Sequence, residues 1–517
     1  MRYRAALLAV LVLLSGCVGV PSLGDVTGGS QPDVQAPDDV SAAVEPAPAD
    51  LADPTSDRLG WEGGYWYNES VSVTRADGLN DTELDAVVNR TMARVEAIRG
   101  LEFEEPVPVT VVQRSEFQRS QSGRETPASV RQFDNAKFEA LFMVNESAES
   151  IGVQRTNSGV SVGGYYSPSE DEIVVISESE TPTVDTSTLA HELVHGLQDQ
   201  HFDLASLSGE TRREHNAIDG LVEGDANLVQ YAFDRRCEGE WTCLGPEAES
   251  GESGGENGTV GNESTADTES ESDSGSSGLA AMGPYLLKYQ PYSDGPAFVY
   301  RLYERGGWAT VNDAYANPPT SSEQIIHPAR YPDDRPAELE VPDRSVDGWE
   351  RVEPDGRVDY GSVGEAGIAA MFAAPLYEKP GARLVDPDRW LNQDADGNVS
   401  DFDPLNYDLP PSNGYEGDRF VAYTNAANES AYVWKLRFEN ESEATEFVDG
   451  YESMLDYRNA TTVDDAAGPG TVYRIPEADP NGFADAFRVV ERGDTVVVVN
   501  APEVGELDRV HRVEGGA

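Results

Sequence analysis

The run His191-Glu192-Leu193-Val194-His195 constrains this chain more than any other feature. Two histidines four apart project from one face of a helix, so both imidazoles can reach a single metal ion. The glutamate between them then lies beside any water the metal holds. That is the minimal equipment for zinc-assisted hydrolysis of an amide bond. The neighbouring residues favour the helix: Asp185 is placed to cap it, and Leu189, Leu193 and Leu197 form a buried stripe. The alternative is a surface helix with two incidental histidines. Only 6 histidines occur in 517 residues, so chance is a poor explanation of the pattern.

A third ligand is available downstream. Ile218 to Val229 reads as a second helix, with an apolar face from Ile218, Leu221, Val222 and Val229. Glu223 lies on it, far enough from the histidines for a turn and an antiparallel return. Gly220 and Gly224 flank Glu223 although glycine costs helix stability. The expected reason is close approach of the second helix to the first, which would bring Glu223 to the metal. The competing reading is an exposed glutamate on an amphipathic helix.

Together His191, Glu192, His195 and Glu223-Gly224-Asp225-Ala226 resemble the gluzincin class of zinc metallopeptidases. The run from Thr188 to His201 is similar to that of the neutral zinc metallopeptidases. The whole chain resembles metallopeptidase-like surface lipoproteins of halophilic archaea, with the specific motifs between Tyr165 and Tyr331. The resemblance implies an α+β fold with a zincin-like catalytic domain, a small mixed sheet plus active-site helices. It also implies Zn²⁺ on His191, His195 and Glu223, with Glu192 as general base. The chain departs from the thermolysin-like pattern four residues after Glu223, where Asn227 replaces an aspartate expected to support a ligand histidine. The segment Pro318 to Pro328 resembles the Ser/Thr-x-Glu-Gln-Ile-x-His-Pro stretch of the same group. A zinc hydrolase needs a donor for its oxyanion. His327 or Tyr331 is the candidate, with Tyr165 and Tyr166 as rivals and a purely structural His327 as the alternative.

The N-terminus points to export. Met1 to Arg4 is a short positive region, and Ala5 to Leu14 is an apolar run too short for a bilayer anchor. Leu14-Ser15-Gly16-Cys17 resembles a lipobox, which implies cleavage after residue 16 and a lipid on Cys17. The expected location is the extracellular face of the membrane, reached through that lipid. Of the 3 cysteines, Cys237 and Cys243 then remain, and an oxidising compartment favours a small-loop disulfide between them.

Lys+Arg total 37 against 94 Asp+Glu, a net charge of −57. Such self-repulsion opposes compaction in dilute buffer, but at molar salt the Debye length falls to about 3 Å. The lysine-poor, acidic composition therefore indicates a high-salt habitat. A content of 38% apolar and 9% aromatic residues suffices for a core, which argues against general disorder. Nucleic acid is excluded as a partner because its phosphates would be repelled.

The expected organisation is a signal peptide over 1–16, a flexible acidic tether over 17–58 and a catalytic domain over 59–382. A disordered acidic insertion spans 244–279, and a C-terminal α+β lobe spans 383–517. Helices are expected over 83–98, 297–303 and 443–457. Strands are expected over 107–112, 420–423, 431–438 and 495–499, with a hairpin of 160–166 and 173–176. Asn-X-Ser/Thr sites such as Asn80, Asn145 and Asn440 are potential glycan acceptors. Two functions are compatible with these features. The first is a lipid-anchored zinc metallopeptidase whose peptide or protein substrate adds as a strand to the Tyr165 hairpin. The second is a cell-surface binding or structural protein with a non-catalytic zinc site.

Overall fold

The computed structural model describes residues 37, 40–73, 78–121, 125–177, 184–244, 279–379, 382–393, 397–464, 466–477, 479 and 482–514. The expected signal peptide, Cys17 and nearly all of the acidic insertion lie outside the described residues. The architecture is mixed α+β, with a three-stranded and a seven-stranded sheet and a small two-stranded pair. No helix among the described residues is long and apolar enough to cross a membrane.

The first layer is helical. The motif helix, Thr186–Phe202, is capped by Asp185, whose side chain accepts from the Ser187 N–H at 3.0 Å. Leu189, Leu193 and Leu197 are fully buried along it, as an amphipathic stripe requires. The return helix, Arg212–Cys237, begins with a capping box between Thr211 and Glu214. Cys237 at its end is joined to Cys243, with the Cα atoms 5.6 Å apart. The helix Asp81–Arg99 packs behind both, and Val87, Met92, Val95 and Ile98 enter the same core as Leu193 and Leu221.

A three-stranded mixed sheet lies against the motif helix. Val109–Gln113 runs parallel to Glu172–Ser177, which pairs antiparallel with Gly164–Ser167. The hairpin is thus shorter than the sequence suggests. Val160 and Ser161 end a helix, Ser150–Ser161, rather than starting a strand. Gly164–Ser167 is the edge strand on one side and Val109–Gln113 on the other.

The helix expected over 297–303 extends from Met282 to Gly306 and passes through Pro291 and Pro296. Proline signals a break because it removes a backbone donor and crowds the preceding turn. Here packing overrides that preference. Gly295 sits so close to the return helix that a Cβ on it would lie 3.1 Å from the Gly224 Cα. This corrects the expectation for the glycines: Gly224 admits the Met282–Gly306 helix, and Gly220 admits the Ile325 side chain. Neither faces the motif helix.

The seven-stranded antiparallel sheet is formed by Glu350–Arg351, Tyr415–Thr424, Ser430–Phe438, Thr495–Ala501, Ala486–Arg492, Thr471–Arg474 and Thr461–Thr462, in that spatial order. Helix Glu441–Tyr457 covers one face, burying Phe447, Tyr451 and Leu455 with Trp434 and Phe438. The other face buries Val421, Val433 and Val499 with Leu507 and Val510. The first strand precedes the expected boundary at 382/383, and residues on both sides of it, such as Phe372 and Trp390, share one core. The chain is also docked earlier than a tether to residue 58 would allow. Val40 is fully buried, and the Ala42 N–H donates to the Ala97 carbonyl. Asn80 and Asn440, both within potential glycan sites, act as helix caps.

Candidate metal centre

His191, Glu192 and His195 lie on the inner face of the motif helix and are fully buried, as is Glu223 opposite. His191 Nε2 and His195 Nε2 are 3.0 Å apart. Glu223 Oε2 is 3.3 Å from the first and 3.4 Å from the second. Around a tetrahedral zinc with ligands at about 2.0–2.1 Å, neighbouring ligand atoms stand about 3.3 Å apart. The triangle therefore fits one face of such a site.

The hydrogen bonds behind the rings set their tautomers. His195 Nδ1 meets Gln198 Oε1 at 2.8 Å, and the Gln198 amide nitrogen donates to the Val222 carbonyl at 2.9 Å. The glutamine therefore presents its oxygen to the ring, so Nδ1 carries the hydrogen and Nε2 a lone pair. His191 Nδ1 meets Gln230 Oε1 at 3.1 Å, and the Gln230 amide donates to Ser187 Oγ at 2.9 Å. Both Nε2 lone pairs thus converge with a carboxylate oxygen on one buried point, which requires a cation or a proton there. Burial pushes Glu223 up, but the two histidines outweigh it and hold its carboxyl at about 2. Burial pulls His195 down, but Glu223 outweighs that and raises it. Two imidazoles and one carboxylate, each ring backed by an amide, form a donor set suited to zinc.

Glu192 lies between the ligands, beneath the edge strand. A Cβ at Gly164 would come within 3.2 Å of both Cγ and Oε1 of Glu192. Glycine is needed there because strand and carboxylate are in contact. On the same strand, Tyr166 packs over Gly196 of the motif helix.

The amide support differs from the sequence expectation. Asn227 is half-buried and pairs with neither histidine, whereas Gln230 reaches His191. Helical side chains lean toward the N-terminus, so the residue covering a spot lies C-terminal to it. Gln230, one turn beyond Asn227 and longer by a methylene, covers the spot. The signals for Gln198 and Gln230 were their helical spacings, three after His195 and seven after Glu223. Asp225, part of the Glu223-Gly224-Asp225-Ala226 motif, takes a role the sequence does not assign. It accepts two hydrogen bonds from Arg99, at 2.8 and 3.0 Å, and one from the Tyr315 hydroxyl at 2.8 Å. This buried network ties the return helix to Asp81–Arg99 and to Trp308–Ala316.

The oxyanion candidates are engaged elsewhere. His327 Nε2 lies 3.1 Å from Glu365 Oε1, and that carboxylate, outweighing burial, pushes the imidazole up to about 9. The buried Glu365 carboxylate thus favours the protonated form of the His327 ring, which is held by that contact. Its ring, Glu365 and Asp408 come within 4.8 Å of one another. The Tyr331 hydroxyl donates to the Asn317 carbonyl at 2.7 Å, and the Tyr166 hydroxyl to Asp199 at 2.9 Å. Tyr165 alternates to the opposite face of the strand from Gly164 and Tyr166, with its ring 5.9 Å from that of Phe117.

Residues 350–511 match a family described as a domain of unknown function (DUF8575). The match begins at the first strand of the large sheet and leaves His191, His195 and Glu223 outside it. No curated protein and no solved structure matches the chain.

Proposed function

We propose that this protein is a gluzincin-type zinc metallopeptidase with a zincin-like catalytic domain, held outside the cell membrane by a lipid on Cys17 and working at high salt. The observation that carries the reading is the convergence of His191 Nε2, His195 Nε2 and Glu223 Oε2 within 3.0–3.4 Å, with Glu192 beside them. When bound, zinc supplies a Lewis acid that lowers the pKa of a coordinated water and polarises a carbonyl. His191, His195 and Glu223 would hold it, with Gln198 and Gln230 fixing both rings in the ligating tautomer. A structural zinc site needs no base; the buried Glu192 carboxylate, next to the ligands, counts toward catalysis. It takes a proton from the attacking water and returns it to the leaving amine. The edge strand Gly164–Ser167 offers its outer backbone groups to an extended peptide, laying the scissile bond over Glu192.

Glu192→Gln tests the reading. It should keep about one zinc per chain and lose about 10²–10⁴-fold in kcat for peptide cleavage at molar salt. Full activity in that variant would end the proposal. Zinc without cleavage in the unaltered protein would favour a surface-binding role instead.

A further inference from the structure

The seven-stranded sheet carries a cavity that shares no residue with the candidate metal centre. Its volume is about 350 Å³. Val433, Val490 and Val497 form its floor, on the sheet face that also packs Leu507 and Val510, and Val341 and Val513 line it as well. Strand register fixes what else shares that face. Val497 pairs with Lys435 on one neighbouring strand and with Val490 on the other. Two residues along, Thr495 pairs with Arg492. Opposed residues, and residues two apart, point to the same side of a sheet. Lys435 and Arg492 therefore flank the floor from strands about 10 Å apart.

Arg344, Lys435 and Arg492 line the cavity together with Glu340 and Glu514. Arg344 and Glu514 form an ion pair, with Nη2 3.1 Å from Oε1. Lys435 donates to the Glu340 backbone carbonyl at 3.4 Å, and Arg492 to the Glu514 backbone carbonyl. Neither Lys435 nor Arg492 makes an ion pair among the described residues. The cavity thus has one cation more than it has carboxylates, in a chain with 37 basic against 94 acidic residues. His511 lines the same cavity and is 6% exposed. Its Nδ1 is buried with no hydrogen-bond partner among the described residues. Burial, and then Arg344, push the ring down to about 4, so it is neutral. A buried polar nitrogen without a partner is costly, and a ligand atom in the cavity would relieve that cost.

We propose that this cavity binds a small organic acid, its carboxylate held by Lys435 and Arg492 and its apolar body lying on Val490 and Val497, with His511 Nδ1 donating to a ligand oxygen. At about 30 Å³ for each water, the space holds about a dozen waters, which sets the ligand at about that many non-hydrogen atoms. An inorganic anion would leave the valines uncovered, and a neutral apolar molecule would leave both cations unmatched. The inference does not depend on the metal centre or on peptide cleavage.

Equilibrium dialysis of the full chain at molar salt tests it, with N-acetyl-leucine and octanoate as acids of suitable size. N-acetyl-leucinamide has the shape of the first without its charge, and acetate has the charge without the body. At least one of the two acids should bind at about one per chain, about 10- to 100-fold more tightly than the amide or acetate. Lys435→Met and Arg492→Gln should each weaken that binding about 10-fold at an unchanged Tm, and Lys435→Arg should retain it. Equal binding of N-acetyl-leucine and its amide overturns the carboxylate assignment. Binding that neither substitution weakens belongs to another place on the chain and overturns the site. No saturable binding of either acid overturns the proposal as a whole.

Discussion

Around the candidate metal centre the protein buries His191, Glu192, His195, Gln198, Glu223, Asp225 and Arg99, whereas the large C-terminal sheet buries mainly valines and aromatic rings on both faces. The contrast separates a region held by apolar area from one held by matched polar groups. Apolar burial in the sheet contributes at about 25 cal/mol per Å². Buried charges cost desolvation energy that their partners only partly offset, so the first region is held together by matched groups rather than by area. Its tolerance of change should be correspondingly narrow, with each substitution acting on a named contact.

The largest effect should come from the helix crossing. Gly224→Val would drive a side chain into the backbone of Gly295, and about 3 kcal/mol of stability should be lost. Because Glu223 is its neighbour, zinc should be lost with it. Thermal unfolding and metal content read both, and retention of full zinc at an unchanged Tm would break the comparison.

A smaller effect should follow from Gln198→Leu. Without the amide, His195 Nδ1 has no acceptor, and zinc affinity should fall about 10- to 100-fold. Competition with a chelator measures this. A Tm of the metal-free protein that falls as far as in Gly224→Val would show that Gln198 serves the fold rather than the metal.

The smallest effect concerns the seam between the regions. Asp294, on the helix that carries Gly295, is buried near Asp403; burial and that neighbouring carboxylate push it well above the usual range. A folded-state carboxyl that keeps its proton contributes stability that declines as pH rises from its unfolded pKa toward its folded one. At fixed salt, Tm should therefore fall from pH 5 to pH 8, and Asp294→Asn should flatten the slope. An identical slope in the variant would remove Asp294 as its cause.

The legible parts of the sequence were those with strong local signals. His191 and His195 followed from spacing on a helix, and Ala431–Phe438 and Thr495–Val499 from runs of β-formers. Hidden parts depended on distant packing. The helix through Pro291 and Pro296 forms because Gly295 meets Gly224, a contact no local pattern encodes. Strand Ala486–Arg492 is interrupted in sequence by Arg488, whose guanidinium is buried against the Ala467 and Pro469 carbonyls. The sequence places Glu223 on the return helix and the structure brings it to His191 and His195, but the glycines beside it meet Gly295 and Ile325 rather than the motif helix. The family pattern points to Asn227, whereas side-chain reach along the helix brings Gln230 to His191.

The central claim is that His191, His195 and Glu223 converge to hold zinc. X-ray absorption at the zinc edge, on protein purified without chelator, tests it most directly. The account predicts about one zinc per chain, with two imidazole nitrogens and oxygen ligands at about 2.0–2.1 Å, absent in His195→Ala. Protein that binds no zinc when supplied with it, or zinc held by sulfur or without imidazole, would contradict it.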